Sequence, residues 1–358
     1  MRSTLFVIPL DLRIPLGPLG SIPLFGLGLL LAIWILLGVV AFVFVVRKHG
    51  WKSLPISTLM IWGIVAVLIH EAPRLVPQVP VYGYGTMLFL GFLTAAWVAA
   101  RRLTHYGYDG EIAWDVGMWG FIAGILGARL FFIAQYSERF FIQGRSTAEV
   151  LKSLVNLPDG GLVFYGGLIG GVLGYFVFCY FRRVRPLAFA DIAITSLFIG
   201  MAFGRIGCLL NGCCYGDVCD LPWAVTFPQN SVPYVSELQR GLLTVSAAHS
   251  LPLHPTQLYS SISSAMLVLL TWVYYPYRSQ DGEVLAVGWL TYPVLRFTVE
   301  FLRGDEIGRF GTSLTISQWV SLVMFFGAVI YCFWLRQRRH STHPLLQSVQ
   351  LPPARAAA

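Results

Sequence analysis

Charge is scarce in this sequence. Asp, Glu, Lys and Arg make up 12% of its 358 residues, against about a quarter in soluble domains. Acidic residues are the rarer sign, 17 against 25 basic, for a net charge of +8. With 56% of residues hydrophobic, no water-soluble core could hide the apolar surface. That excludes the soluble classes and leaves an all-α polytopic membrane protein embedded in the bilayer. In a soluble chain such a positive excess points to nucleic acid; here it points to membrane topology and anionic lipid, and no nucleic-acid partner is expected. Nor is a cleavable signal expected. Arg2, Asp11, Arg13 and several prolines interrupt residues 1–22, and the first apolar run is too long for one and ends in "RKHG". There is no internal repeat. The six cysteines include no Cys-x-x-Cys pair, the usual mark of a zinc site.

What is present is a series of apolar runs. Nine candidate helices cover about 24–46, 56–70, 85–100, 114–134, 161–181, 188–204, 262–276, 285–302 and 315–335. Basic residues follow every second one: Arg47, Lys48 and Lys52; Arg101 and Arg102; Arg182, Arg183 and Arg185; Arg278; Arg336, Arg338 and Arg339. If the nine helices alternate, all five clusters share one side. That side is predicted to be cytoplasmic, with the N-terminus outside and the C-terminus inside. The longest loop on the other side, 205–261, is expected to form a small extracytoplasmic head. The tail after 338 is basic, then rich in Pro and Ala, and is expected to be disordered.

Polar residues collect at the outer ends of these helices: Tyr84 in "VYGYGTM", Arg129 in "GILGARLFF", "DGGLVFYGGLIGG" from Asp159, Arg205 in "FGRIGCLLNG", "HPTQLYSS" from His254, and "YPVLRFTVEFLRGDE" from Tyr292. Charge at membrane depth costs a few kcal/mol and is normally placed in a polar cavity, so six segments with polar residues at one depth suggest one site. Arg296, Glu300 and Arg303 share a helical stripe, either a structural ion pair ending a span or two guanidiniums oriented by a carboxylate to grip phosphate. Together with Arg205 and Arg129 they leave excess positive charge, which a phospholipid phosphate would balance. Gly170 and Gly171 read as helix-packing residues, and Asp159 with Gly160 and Gly161 as a turn bringing backbone to a ligand. "HPTQLY" is open between a cap, with Thr256 and Gln257 satisfying first-turn amides, and a ligand contact. Asp115 and Asp191 read as N-terminal caps or dipole partners. Cys208, Cys213, Cys214 and Cys219 are spaced against zinc; a disulfide with Cys219, plain packing at Cys208 and a reactive thiol stay open.

In motif order and helix count, residues 80–338 resemble the prolipoprotein diacylglyceryl transferases. The family's Gly-Arg-x-Gly-Asn-Phe-x-Asn-x-Glu hallmark is matched at Gly204, Arg205, Gly207 and Asn211, with Cys208, Leu209 and Cys213 replacing its first asparagine, phenylalanine and glutamate. Tyr84-Gly85, "DGGLVFYGGLIG", "HPTQLY", and Tyr292, Arg296, Glu300 and Arg303 match its other segments. Tyr165 stands where the family commonly has a histidine, often proposed as the base; tyrosine, with a pKa of ~10, is a poor one. The resemblance implies a seven-helix transferase core at 81–338, preceded by a two-helix extension at 1–80 and followed by a tail at 339–358. It implies phosphatidylglycerol as lipid donor and, as acceptor, a prolipoprotein signal peptide with its lipobox cysteine, in the bacterial inner membrane. It further implies Arg205 and Arg296 on the phosphate, Glu300 orienting Arg296, and Tyr84, Tyr292 and Asn211 on the glycerol or phosphate. Arg129, Gln257 and Arg303 would be further substrate contacts, and Tyr165 or His254 would assist the thiol proton. No metal or organic cofactor is expected, and a monomer is. The alternative is another phospholipid-headgroup enzyme or a degenerate lipid-binding paralogue.

Overall fold

The computed structural model describes residues 4–15, 21–49, 56–75, 78–140, 146–147, 150, 153–154, 161–304 and 308–338. The Asp159-Gly160 part of the expected ligand turn and the tail from 339 lie outside them. The chain divides into two compact units, residues 2–86 and 87–358.

The first unit holds helices α1 (Leu29–His49) and α2 (Ile56–Leu75). They meet where Trp34 stacks on Trp62 at 4.0 Å and donates its indole N–H to the Trp62 carbonyl. Four strands, unforeseen from the sequence, flank them: β1 (Thr4–Pro9) pairs antiparallel with β4 (Gln78–Tyr82), and β2 (Arg13–Pro15) with β3 (Ser21–Pro23). Pro9, Pro15 and Pro23 each end one of these short strands, where no ladder N–H is missed.

The second unit holds most of α3 (Gly83–His105), then α4 (Glu111–Gln135), α5 (Phe164–Phe181), α6 (Pro186–Asn211), α7 (Val232–Gln239), α8 (Thr256–Tyr274), α9 (Glu283–Glu300) and α10 (Ile316–Gln337). All nine expected long helices form. Among the described residues, seven helices are long and apolar enough to cross a membrane: α1, α3, α4, α5, α6, α8 and α10. Of the two others expected to span, α9 carries Glu283, Arg296 and Glu300 within 18 residues, a density that marks a polar site. Two boundaries move. Helix α6 runs to Asn211, so Arg205 lies inside it instead of closing it, and α8 begins at Thr256.

Helices α4 and α5 approach through small residues. A Cβ on Gly127 would stand 2.4 Å from the Gly166 carbonyl oxygen, and one on Gly170 would stand 2.3 Å from that of Ala123. Gly166 is therefore a packing residue like Gly170, whereas Gly171 meets nothing closer than 3.9 Å. Gly170→Val should force the helices apart and cost about 1–3 kcal/mol, read as a lower midpoint in thermal unfolding in detergent. Gly171→Ala should leave that midpoint unchanged; equal behaviour of the two variants would contradict this packing.

The main core, which includes Leu103, Ile112, Phe178, Ile192, Leu267 and Val284, gathers at the ends of α3–α6, α8 and α9 that carry the basic clusters. Asp191 of α6, fully buried, accepts from the amides of Gly282 and Leu285 at 2.8 and 2.9 Å. It caps α9, not its own helix. Asp115 pairs instead with Arg182. This end is tied shut, and the opposite end of the bundle carries the polar residues.

Candidate functional site

Arg205 projects from α6 into a small cleft whose other walls are α8 and α9. Ser260, Ser263 and Ser264 line it from α8, and Tyr292 and Arg296 from α9. Two of the serines bond carbonyls of their own helix: Ser263 Oγ donates to Tyr259 O at 2.8 Å and Ser264 Oγ to Ser260 O at 2.9 Å. Arg205 has no hydrogen-bond or ion-pair partner among the described residues, although it sits on a membrane span.

The opposite wall is highly organised. Glu300 is 2% exposed. Its Oε2 forms ion pairs with Arg296 and, at 3.3 Å, with Arg303. Its Oε1 accepts from Thr315 Oγ1 at 2.7 Å. Thr315 is the N-cap of α10, closed by a capping box with Gln318. The carboxylate is thus fixed by two helices, and it in turn fixes both guanidiniums. Among the described residues, Arg205 and Arg296 at the cleft stand against the single carboxylate of Glu300, which leaves positive charge for an anion to meet.

The head closes over this end. Gly216 N donates to His254 O, Asp217 N to Leu302 O and His254 N to Asp217 O, all between 2.9 and 3.0 Å. A Cβ on Gly216 would stand 2.4 Å from that of His254 and 2.6 Å from the Leu302 carbonyl oxygen, so only glycine lets this strand pass between the start of α8 and the end of α9. Tyr215, Phe227 and Leu253 form a separate small core.

The turn after α6 carries the cysteines. Gly212 takes the left-handed conformation (φ 70°) and its N–H returns to the Cys208 and Leu209 carbonyls. Cys213 N also reaches Cys208 O, and Cys214 follows at φ 59°. The chain folds back so that the sulfurs of Cys208, Cys213 and Cys214 all lie within 4.8 Å of one another, without Cys219. All described cysteines are free thiols. Spacing along the chain concealed this cluster because the αL residue at Gly212 makes it. Hydrogen bonding from Cys208, then from Cys214, holds the Cys213 thiol below its ordinary value. Thr256 Oγ1 donates to Cys214 O at 2.7 Å and Gln257 Nε2 to Cys213 O at 2.9 Å. These two side chains brace the cysteine turn; they do not cap α8, whose N-cap is Pro255 with no side-chain bond.

Other expected residues fall elsewhere. Arg129 is 9% exposed and gives its guanidinium to the carbonyls of Ser153, Leu154 and Gly161 at 2.7, 2.9 and 3.1 Å, ordering the loop before α5. Tyr165 is 47% exposed on the first turn of α5. His254 is half-buried, with Nδ1 3.4 Å from the Tyr259 hydroxyl. Asn211 ends α6 beside Cys213. Tyr84 belongs to the first unit, in the first turn of α3.

Residues 70–334 match the profile of the prolipoprotein diacylglyceryl transferase family. The chain belongs to that family. It is similar to the phosphatidylglycerol–prolipoprotein diacylglyceryl transferase of Rhodopirellula baltica, 27% identical with 93% of this chain and 89% of the relative covered. It is also similar to that of Clostridium tetani, 34% identical over 68% of this chain and 88% of the relative. The transferase 2 of Clostridium perfringens is 32% identical over 70% and 89%. Set against the family hallmark, two of the three replacements, Cys208 and Cys213, fall in one cluster. The family pattern also marks Glu300 but not Thr315, its buried partner; "TISQ" at 315–318 signals a capping box, yet nothing in the sequence ties that cap to a carboxylate.

Proposed function

We propose that this chain transfers the diacylglyceryl group of phosphatidylglycerol to the lipobox cysteine thiol of prolipoproteins, the first step of lipoprotein maturation. The observation that carries the reading is the unpartnered Arg205 in the same cleft as Arg296 and Tyr292, in a member of this family. A membrane-depth guanidinium without a partner is costly, and a lipid phosphate supplies the bidentate acceptor it lacks. The lipobox sulfur attacks the glyceryl carbon that bears the phosphate. The carbon–sulfur bond forms as the carbon–oxygen bond breaks, the electron pair leaves on glycerol phosphate, and the thiol proton passes to a base or to water. Negative charge grows on the leaving phosphate, so Arg205 and Arg296, positioned beforehand, stabilise the transition state. Glu300 and Thr315 keep Arg296 from following the substrate. Tyr292 and the cleft serines offer hydroxyls to the glycerol.

The basic clusters support a cytoplasmic placement of the tied-shut end, in the inner membrane of a bacterium, with the cleft and head on the outer side. The chain acts as a monomer and needs no organic cofactor. The test is a strain depleted of its own transferase. Expression of this chain should restore growth and yield precursor carrying a thioether-linked diacylglyceryl group. Purified, folded protein that leaves a lipobox peptide unmodified in phosphatidylglycerol vesicles would refute the reading.

The proton acceptor is assigned to His254, because an imidazole accepts a proton near neutrality far more readily than a phenol such as that of Tyr165. His254→Ala should lose most activity near neutrality and regain part of it at alkaline pH, where more of the acceptor thiol is ionised. Tyr165→Phe should change little. Normal turnover and an unaltered pH profile in His254→Ala would remove it from the mechanism.

A further inference from the structure

We propose that Cys208, Cys213 and Cys214 form a binding site for a thiophilic d10 metal ion, zinc or copper(I), that locks the turn between α6 and the head. Three independent features converge on it. The first is geometry. The three sulfurs lie mutually within 4.8 Å. A metal with bonds of ~2.3 Å to sulfur sets its thiolates about 3.8–4.0 Å apart in a tetrahedral or trigonal arrangement. Small side-chain rotations close that difference. A disulfide would use two of the three sulfurs and draw them far closer than this.

The second is preorganisation. The carbonyls of Cys213 and Cys214 are held by Gln257 and Thr256, each 1% exposed. Cys208 is fixed by the last turn of α6. Cys214 keeps a left-handed conformation (φ 59°) that a non-glycine residue rarely adopts. Cys214 does not line the arginine cleft, so that strain has no part in it. The third is an unanswered polar atom. Gln257 Oε1 is buried with no hydrogen-bond partner among the described residues, and the same amide's nitrogen bonds the Cys213 carbonyl. The oxygen is therefore held beside the turn. It offers zinc a fourth donor, directly or through water, whereas copper(I) is satisfied by three thiolates. Arg205, one helical turn before Cys208 on α6, supplies positive charge that eases the cost of thiolates.

The role is structural. Neither Cys208, Cys213 nor Cys214 lines the cleft, and the turn they make connects Arg205's helix to the strand that passes between His254 and Leu302. A bound ion would fix where the head begins.

The experiment uses the full chain, purified in detergent with a reductant and without chelator, and reads metal per protein by mass spectrometry of the elements. About one zinc or copper ion per chain is expected, falling to background in Cys208→Ser, Cys213→Ser and Cys214→Ser and unchanged in Cys219→Ser and Cys332→Ser. X-ray absorption at the metal edge, on the wild-type chain, should show a shell of three sulfurs. Three sulfurs with one lighter atom identify zinc, three sulfurs alone identify copper(I), and four sulfurs would overturn the three-cysteine site. Metal retained in all three serine variants, a shell of only nitrogen and oxygen, or metal-free protein whose three thiols alkylate freely each overturns the proposal. So does a reduced-minus-native mass difference of two hydrogens with linked peptides from this turn. Because the absorption spectrum needs no variant, misfolding of the serine proteins does not leave the question open.

Discussion

Arg205→Ala is expected to abolish transfer while making the protein no less stable. The two effects have opposite signs for one reason. In the unliganded protein Arg205 has no partner among the described residues, so its guanidinium is a cost of a few kcal/mol on a membrane span, and alanine removes that cost. In the transition state the same group meets the charge growing on the departing phosphate. Losing one such donor lowers turnover by about 10²–10³-fold. Arg205→Lys should recover only part of the rate, because an ammonium is a point charge and cannot meet two phosphate oxygens through a planar fork. Initial rates on phosphatidylglycerol and a lipobox peptide, with thermal midpoints measured on the same samples, check both halves. Wild-type turnover in the alanine variant would remove Arg205 from the site. A much lower midpoint would make it a structural residue.

Where the bilayer dictates structure, the sequence was legible. Seven of the nine long helices could be read because hydrocarbon demands unbroken apolar length. The Arg296–Glu300–Arg303 stripe was legible because helical periodicity alone puts the three on one face. Contacts made by backbone were not. Arg129 looked like a fourth anion contact, but its partners are the carbonyls of Ser153, Leu154 and Gly161, which every residue type carries and no composition reveals. The pairing of β1 with β4 joins segments about seventy residues apart and rests on short strands with no clear alternation. Thr256 and Gln257 could be read as caps for the helix they begin or as ligand contacts; they reach the cysteine turn because Gly212 sends it back to them. In each case local pattern gave the residue type and the tertiary fold chose the partner.

Glu300→Gln is expected to damage the protein on both counts, and so to separate the organised wall of the cleft from its free arginine. The carboxylate is 2% exposed and neutralises Arg296 and Arg303, whose side chains are 12% and 8% exposed. Glutamine keeps an oxygen for Thr315 but carries no charge, and Arg296 and Arg303 both lose the carboxylate that joins them. Removing one partner of a buried pair costs ~3–5 kcal/mol, which at ~2–4 °C per kcal/mol lowers the thermal midpoint by roughly 6–20 °C. Thr315→Val removes only a neutral donor and an N-cap, each worth ~1 kcal/mol, so its midpoint should fall by less. Activity of the folded Glu300→Gln fraction should also drop, because Arg296 loses the bond that aims it at the cleft. Lipid supplies the missing negative charge: added phosphatidylglycerol should raise the midpoint of Glu300→Gln more than that of wild type, whereas an uncharged phospholipid should raise neither. A midpoint for Glu300→Gln equal to wild type would show that the two arginines do not depend on this carboxylate, and the cleft would then owe its positive surplus to something other than a wall held from within.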